Sequence, residues 1–213
     1  MNLAALRELA GRRLARFTTN AVVARPSLWR VFRTVTRRQF DAVAPRWDAM
    51  RSEDAFAVLE AGLDALSDAP KRALDLGTGT GKAAFAIARR FPEADVVGVD
   101  LAPKMIREAK RLTPPELSDR VRFEVGDASD LPFEAETFDL VSLANMIPFF
   151  DELARIVCPG GHVLVSFSGG SETPIYVPFE RLRRELGRRG FADFADFAAV
   201  RGTALLARKA DHS

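Results

Sequence analysis

Residues 73–82 read Ala73-Leu74-Asp75-Leu76-Gly77-Thr78-Gly79-Thr80-Gly81-Lys82, a short apolar run holding one acid, then three glycines at alternate positions, then a helix-periodic stretch. Glycine tolerates positive φ and lets a ligand come close to the backbone, so the loop reads as a tight turn from a strand into a helix and as a place to bind something. A phosphate-cradling P-loop requires G-x-x-x-x-G-K-[ST]. Aligning Gly81-Lys82 on its end puts Leu76 where the first glycine belongs and Ala83 where the magnesium-binding hydroxyl belongs. A dinucleotide loop wants G-x-G-x-x-G, whereas the spacing here is G-x-G-x-G. Asp75 would repel a pyrophosphate, so it favours a ligand that presents a cation or hydrogen-bond donors.

From Lys71 onward, short β-branched or apolar runs alternate with longer helix-periodic ones, the pattern of a parallel sheet covered by helices. Strands are expected over 73–76, 95–99, 121–125, 138–144 and 162–167. Helices are expected over 82–91, 103–112 and 151–157, the second opened by Pro103 and the third ended by the turn Pro159-Gly160-Gly161. A helix around 179–188 follows Gly169-Gly170, and residues 191–200 and 203–207, joined by Arg201-Gly202, close the sheet as an antiparallel hairpin. Residues 41–70 read as helices with Pro45 and Pro70 as breakers. The chain thus divides into a basic helical extension or cap, 1–70, and a ligand-binding sheet domain, 71–210.

With 213 residues, 47% hydrophobic and 28% charged, the chain suffices for one domain with an appendage. No stretch approaches the roughly 18 apolar residues of a membrane span, and the first residues lack the apolar block of a secretory signal, so the cytoplasm is expected. A single Cys158 forms no internal disulfide, and with only His162 and His212 beside it no zinc cluster is expected. Cys158 reads as a small apolar residue, and His162, at the start of the fifth strand, as a structural one.

Charge is unevenly spread. Residues 1–40 carry nine arginines against one glutamate, a net +8 that leaves −6 for the rest of a chain whose total is +2. Leu3, Leu6, Ala10, Leu14 and Phe17 recur at helical spacing with Arg7, Arg12 and Arg16 on the other side, so this is a basic amphipathic helix. It could pack on the body of the same chain, dock on an anionic membrane or acidic partner, or serve as an organellar transit segment. Nucleic acid is not expected, because a stripe of arginines without a recognisable binding module is a weak signal.

S-adenosylmethionine offers the cation and the donors that Asp75 asks for: an ammonium, a sulfonium, a ribose diol and an adenine. The motif Asp75-x-Gly77-x-Gly79-x-Gly81 resembles the first motif of class I S-adenosylmethionine-dependent methyltransferases, and the likeness continues in order. Asp100 ends the second expected strand in VVGVD, where the family places an acid that accepts from both ribose hydroxyls. Asp127 and Ala128 end the third in FEVGDASDLPF, where the family binds adenine. Residues 137–141 and 159–165 resemble its fourth strand and the turn into its fifth. The segment FDAVAPRWD, residues 40–48, is similar to the stretch before the first strand in the type 11 small-molecule group, related to quinone methyltransferases. There it covers the cofactor's methionine end; Phe40 and Trp47 could equally be core anchors of an amphipathic helix.

The resemblance implies an α/β, Rossmann-like, doubly wound, mostly parallel seven-stranded sheet in the order 3-2-1-4-5-7-6, with an antiparallel last strand. It also implies a cofactor site drawn from Asp75, Leu76, Gly77, Thr78, Gly79, Gly81, Asp100, Leu101, Met105, Gly126, Asp127, Ala128 and Asn145. The activity implied is in-line methyl transfer to a small or lipid-like acceptor, since no target-recognition domain is inserted. A non-catalytic scaffold or partner subunit with the same fold is the alternative, and a nicotinamide oxidoreductase a more distant one. No general base is singled out. Asn145, Asp151, Glu172 and Tyr176 follow the fourth and fifth strands where an acceptor would lie, and Met146, Ile147, Phe149 and Phe150 read as an apolar wall or as core. The stretch 171–177 and residues 1–70 are expected to cap the pocket.

Overall fold

In the computed structural model, which describes residues 3–50 and 53–211, with side chains from 10–50 and 55–211, seven strands form one sheet. They are β1 (Arg72–Leu76), β2 (Asp95–Asp100), β3 (Val121–Val125), β4 (Phe138–Ala144), β5 (Val157–Phe167), β6 (Phe191–Ala199) and β7 (Gly202–Lys209). Their order is β3-β2-β1-β4-β5-β7-β6, parallel from β3 to β5, with β7 antiparallel to both neighbours. The expected sheet is therefore the observed one. Helices are α1 (Leu3–Ala24), α2 (Trp29–Val43), α3 (Ala57–Asp64), α4 (Lys82–Arg90), α5 (Pro103–Leu112), α6 (Phe150–Ile156) and α7 (Phe179–Gly187).

Strand periodicity of two sorts the apolar side chains onto two faces. Leu74, Leu76, Val97, Val99, Val141, Leu143, Val163 and Val165 pack on one side with α6, α7, Val22, Val23 and Trp29. Ala73, Val96, Leu140 and Leu164 pack on the other with α3, α4 and α5. The strands are apolar on both faces, as a sheet sandwiched by helices demands. On α3, a Cβ added to Gly62 would stand 2.5 Å from Leu164 Cδ1, so this helix lies on the sheet through its glycine.

One boundary differs. Pro159-Gly160-Gly161 is not a turn ahead of the fifth strand but a bulge inside it: Phe138 pairs with Val157 and Leu140 with His162, so four residues of β5 loop out between two rungs. Gly160 takes φ 76 there, and Cys158 Sγ donates to the Glu136 carbonyl at 2.9 Å, which holds the bulge against β4. The strand-like flanks register on both sides because β4 keeps running past them.

The N-terminal helix also differs from simple packing of its apolar stripe. Among its described side chains Thr19, Val22 and Val23 are buried, whereas Leu14 and Phe17 are 60% and 63% exposed. Arg12 and Arg16, from the polar side, reach the body instead: Arg12 Nη2 donates to the Glu172 carbonyl at 2.7 Å, and Arg16 Nη2 to those of Ser171 and Thr173 at 2.8 and 2.9 Å. The side chains of Leu3, Leu6 and Arg7, and all of His212, lie outside the described residues.

Candidate functional site

The carboxyl ends of β1, β2, β3 and β4 converge on the glycine loop, the place where open α/β sheets bind ligands. Gly77, Gly79 and Gly81 all have positive φ, at 75°, 56° and 89°. Gly77 N and Thr78 N both donate to the Val99 carbonyl, at 2.8 and 3.0 Å, which ties the loop to β2. Asp75 is buried, and its Oδ2 accepts from Thr78 Oγ1 at 2.6 Å and from Ala84 N, in the first turn of α4, at 3.0 Å. Its carboxyl group thus shapes the loop from beneath.

Asp100 stands at the loop's mouth. Its Oδ2 accepts from Gly79 N at 2.9 Å and its Oδ1 from Ala102 N at 2.8 Å. Each oxygen keeps room for another donor, since an ionised carboxylate offers about four acceptor positions. Burial raises its pKa above the ordinary aspartate value; the two backbone N–H groups pull it down, and nearby Asp41 pushes it up.

Asp127 is more fully engaged. Trp29 Nε1 donates to its Oδ1 at 2.7 Å, Ser129 N and Oγ donate to the same oxygen at 3.0 and 2.8 Å, and Arg33 lies 3.3 Å from Oδ2. Burial pulls its pKa upward, but these four bonds prevail and hold it below the usual range. Trp29 is 7% exposed and meets Phe149 edge-on, with ring centroids 5.5 Å apart, so an indole bridges the segments that follow β3 and β4.

The segment 40–48 lies over the glycines. A Cβ built on Gly79 would stand 3.2 Å from Trp47 Nε1, and one on Gly77 would stand 3.0 Å from Met146 Sδ. Thr80 Oγ1 donates to Asp48 Oδ1 at 2.6 Å, and Lys82 Nζ sits 3.5 Å from the other Asp48 oxygen, which fastens the segment to the loop. Met105 packs under it with Ala44 and Ala102, against Phe40 and Trp47. Leu101 and Ala128 border the Trp29 space, and Gly126 allows close packing, since its Cβ would stand 2.8 Å from Val99 Cγ1.

Asn145, at φ 55, ends β4 in a conformation few side chains adopt. Its Oδ1 accepts from Ser168 N at 2.9 Å and its Nδ2 donates to Ser168 Oγ at 3.0 Å, so it clamps the ends of β4 and β5 together. Tyr176 stacks edge-on against Phe167 at 5.1 Å, and burial raises its phenol pKa. Asp151 is drawn away to Arg189 at 2.7 Å, and Phe150 is buried beneath that same guanidinium. His162 and Cys158 lie at the opposite, amino-terminal end of β5, where burial lowers the imidazole pKa and raises the thiol's. Trp29, Arg33, Ser129 and Ser168 were not marked by the sequence, and Asp48 only as the end of the 40–48 segment. The available signal was Trp29, one of two tryptophans, inside an arginine-rich stretch.

The chain matches the family model described as methyltransferase domain over residues 73–161. It is 38% identical to the demethylmenaquinone methyltransferase of Thermus thermophilus over 59% of this chain and 62% of that one. It is 30% identical to the ubiquinone/menaquinone biosynthesis C-methyltransferase UbiE of Desulfotalea psychrophila over 79% of this chain and 74% of that one. Among solved structures, Haemonchus contortus phosphoethanolamine N-methyltransferase 2 in complex with S-adenosyl-L-methionine superposes with a TM-score of 0.60 at 20% identity, over 74% of this chain and 52% of that one. The [4+2]-cyclase SpnF superposes with a TM-score of 0.67 at 19% identity, over 83% and 96%. This chain belongs to the class I S-adenosylmethionine-dependent methyltransferases. It spans about six tenths of the length of several curated relatives, at 62%, 58% and 60%.

Proposed function

We propose that the chain binds S-adenosylmethionine at the glycine loop and transfers its methyl group to a small or lipid-like acceptor of the quinol class. The observation that carries the cofactor reading is Asp100, whose two oxygens each hold one backbone N–H and keep capacity for one ribose hydroxyl apiece. Gly77 and Gly79, without Cβ atoms, receive the methionine end, and Asp75 under the loop supplies the negative field that a sulfonium and an ammonium need. Leu76 and Thr78 form the loop's floor, Leu101, Gly126 and Ala128 flank the adenine, and Asp127 accepts from its amino group. When bound, S-adenosylmethionine supplies the electrophile, a methyl group on positively charged sulfur.

The chain's own contribution is alignment and exclusion of water. Trp47 and Met146 cover the loop, and Asn145 fixes the end of β4 beside it. Met146, Ile147, Phe149 and Tyr176 give the acceptor end an apolar lining, which suits a lipid-like molecule. Support for a quinol comes from the relatives whose names give demethylmenaquinone or ubiquinone and menaquinone biosynthesis.

Calorimetry with S-adenosylhomocysteine tests the cofactor reading: binding is expected, and Asp100→Ala abolishes it. Binding of NADH in its place would sink the reading. Transfer of labelled methyl from S-adenosylmethionine to quinols, phenols, amines and carboxylates then tests the acceptor. A protein that binds the cofactor and labels none of them favours the scaffold over the enzyme.

A further inference from the structure

Seven large apolar side chains are strongly exposed among the described residues, and four of them, Leu14, Phe17, Val31 and Val35, lie on the first two helices. On α1 the reason is a choice of face. The helix meets the body through Arg12, Arg16, Thr19, Val22 and Val23, and this turns the stripe of Leu14 and Phe17 outward. In the sequence that stripe continues at the same period through Ala10, Leu6 and Leu3.

On the anchored side of the helix is a basic hollow. A cavity of about 210 Å³ is lined by Arg12, Arg13 and Arg16 on the helix and by Ser171, Glu172 and Pro174 on the facing turn. The partners of Arg12 and Arg16 there are neutral carbonyls, and among the described residues no carboxylate lies in ion-pair range of Arg12, Arg13 or Arg16. Each guanidinium carries five donors, so an anion can be gripped without dismantling these bonds. Arg12 and Arg16 belong to the anchored side of the helix, and Arg13, a quarter turn away, flanks the exposed apolar stripe.

We infer that the outward face of α1 is a docking surface for an anionic phospholipid bilayer: Leu14 and Phe17 enter the acyl boundary, and Arg13, at the edge of that face, meets the lipid phosphodiesters. Exposed apolar side chains insert at a membrane interface, and each basic residue near an anionic leaflet adds to the attraction. Charge division orients the molecule, since residues 1–40 carry +8 and the remainder −6. The turn that Arg12 and Arg16 hold follows Ser168, the residue clamped by Asn145, so a docked α1 tethers the acceptor end of the sheet near the lipid surface. The surface itself rests on exposure and charge; only its usefulness rests on the reading of a lipid-like acceptor.

The test is flotation of the full chain with vesicles of phosphatidylcholine alone and of phosphatidylcholine with phosphatidylglycerol. Binding to the anionic vesicles is expected, at least about ten-fold stronger than to the neutral ones and weakened by salt. Leu14→Glu with Phe17→Glu abolishes it, and Arg13→Gln lowers it about five-fold. Both variants keep the wild-type melting temperature and affinity for S-adenosylhomocysteine, because the altered side chains are exposed. No flotation with anionic vesicles at low salt, equal flotation with neutral ones, or a double variant that still floats would overturn the inference. So would stoichiometric binding of inorganic phosphate without vesicle binding, which would make the hollow a site for a soluble phosphate. Failure of cofactor binding with flotation intact would overturn the methyltransferase reading and leave the docking surface standing.

Discussion

Trp29 Nε1 donates to Asp127 Oδ1 across 2.7 Å, from a helix 98 residues upstream of the acid. Three donors crowd that one oxygen, and Arg33 faces the other. The proposed site gives the same carboxylate an adenine amino group to hold. An indole N–H and an adenine amino group ask the same thing of a carboxylate, and Trp29 already fills the space beside Phe149 with an aromatic ring. On the proposed reading of Asp127 as the adenine ligand, Trp29 is a resident competitor for that position, and the prediction is that α2, which carries it, yields when the cofactor enters.

Trp29→Phe keeps the ring packing and deletes the donor. Since a hydrogen bond to a charged group is worth about 1.5–3 kcal/mol, S-adenosylhomocysteine is expected to bind roughly ten-fold more tightly to this variant, measured by calorimetry. Unchanged or weaker binding would show that Trp29 is a wall of the pocket and not a competitor. The tryptophan emission of the wild-type protein should also shift on binding, because Trp29 and Trp47 are its two tryptophans and both border the site.

Asp100 makes cofactor affinity depend on pH. Burial raises its pKa, so it takes up a proton at a higher pH than an ordinary aspartate, and a protonated carboxyl is a poor acceptor for two hydroxyls. Affinity for S-adenosylhomocysteine is expected to fall as pH drops through that raised pKa. Asp100→Asn should bind about 100-fold more weakly at neutral pH and show no such fall. For folding the sign is reversed: a carboxyl with a raised folded pKa contributes stability that is fully present at acid pH and is lost as pH rises through that pKa. A wild-type binding curve that stays flat to the acid limit of folding would refute the role given to Asp100.

What the sequence disclosed and what it withheld divide along physical lines. The strands 121–125 and 138–144 are observed at their expected ends because Val121, Phe123 and Val125 alternate with charged residues and 138–144 is mostly apolar, each with turn residues beyond its ends. The glycine loop was legible because three positive φ angles in five residues require glycine. The bulge at Cys158–Gly161 was not, since Pro-Gly-Gly chemistry is the same in a turn and in a bulge, and only the register of β4 against β5 tells them apart. The face by which α1 attaches was hidden for a related reason. Periodicity identifies an apolar stripe but not its partner, and the competing attachment uses arginines that reach backbone carbonyls about 155–160 residues away. Trp29 on Asp127 is likewise a long-range pairing with no local signature.

Asp127 ties acid stability to the same carboxylate. Its pKa is held below 3.8, so the ionised form is the one that folding favours, and its contribution is present above the unfolded value and lost as pH falls through the folded one. Asp127→Asn is expected to cost about 1–3 kcal/mol at neutral pH by weakening bonds to Ser129, Trp29 and Arg33. The gap between the variant and the wild type in denaturant titrations should close as pH drops below 3.8. A gap of constant width across that range would mean that the charge on Asp127 contributes nothing.

Gly81 offers the sharpest test of the loop as a structural unit. It caps α4 with φ 89 and ψ 1, a left-handed conformation, and a Cβ there would stand 2.6 Å from Phe123 Cζ and 3.0 Å from Phe85 Cζ. Those two rings lock each other edge-on at 5.6 Å, so neither can swing aside without opening the core between α4 and β3. Backbone strain and overpacking together put Gly81→Ala at roughly 3 kcal/mol of destabilisation, or about 10 °C in melting temperature for a domain of this size. Gly11→Ala, on α1 with nothing within 4 Å of the added methyl, should instead stabilise by about 0.5–1 kcal/mol, since helix interiors favour alanine. Opposite signs for one chemical change isolate conformation and space as the cause; two equal shifts would mean that the glycine loop is not held in the left-handed geometry on which the site depends.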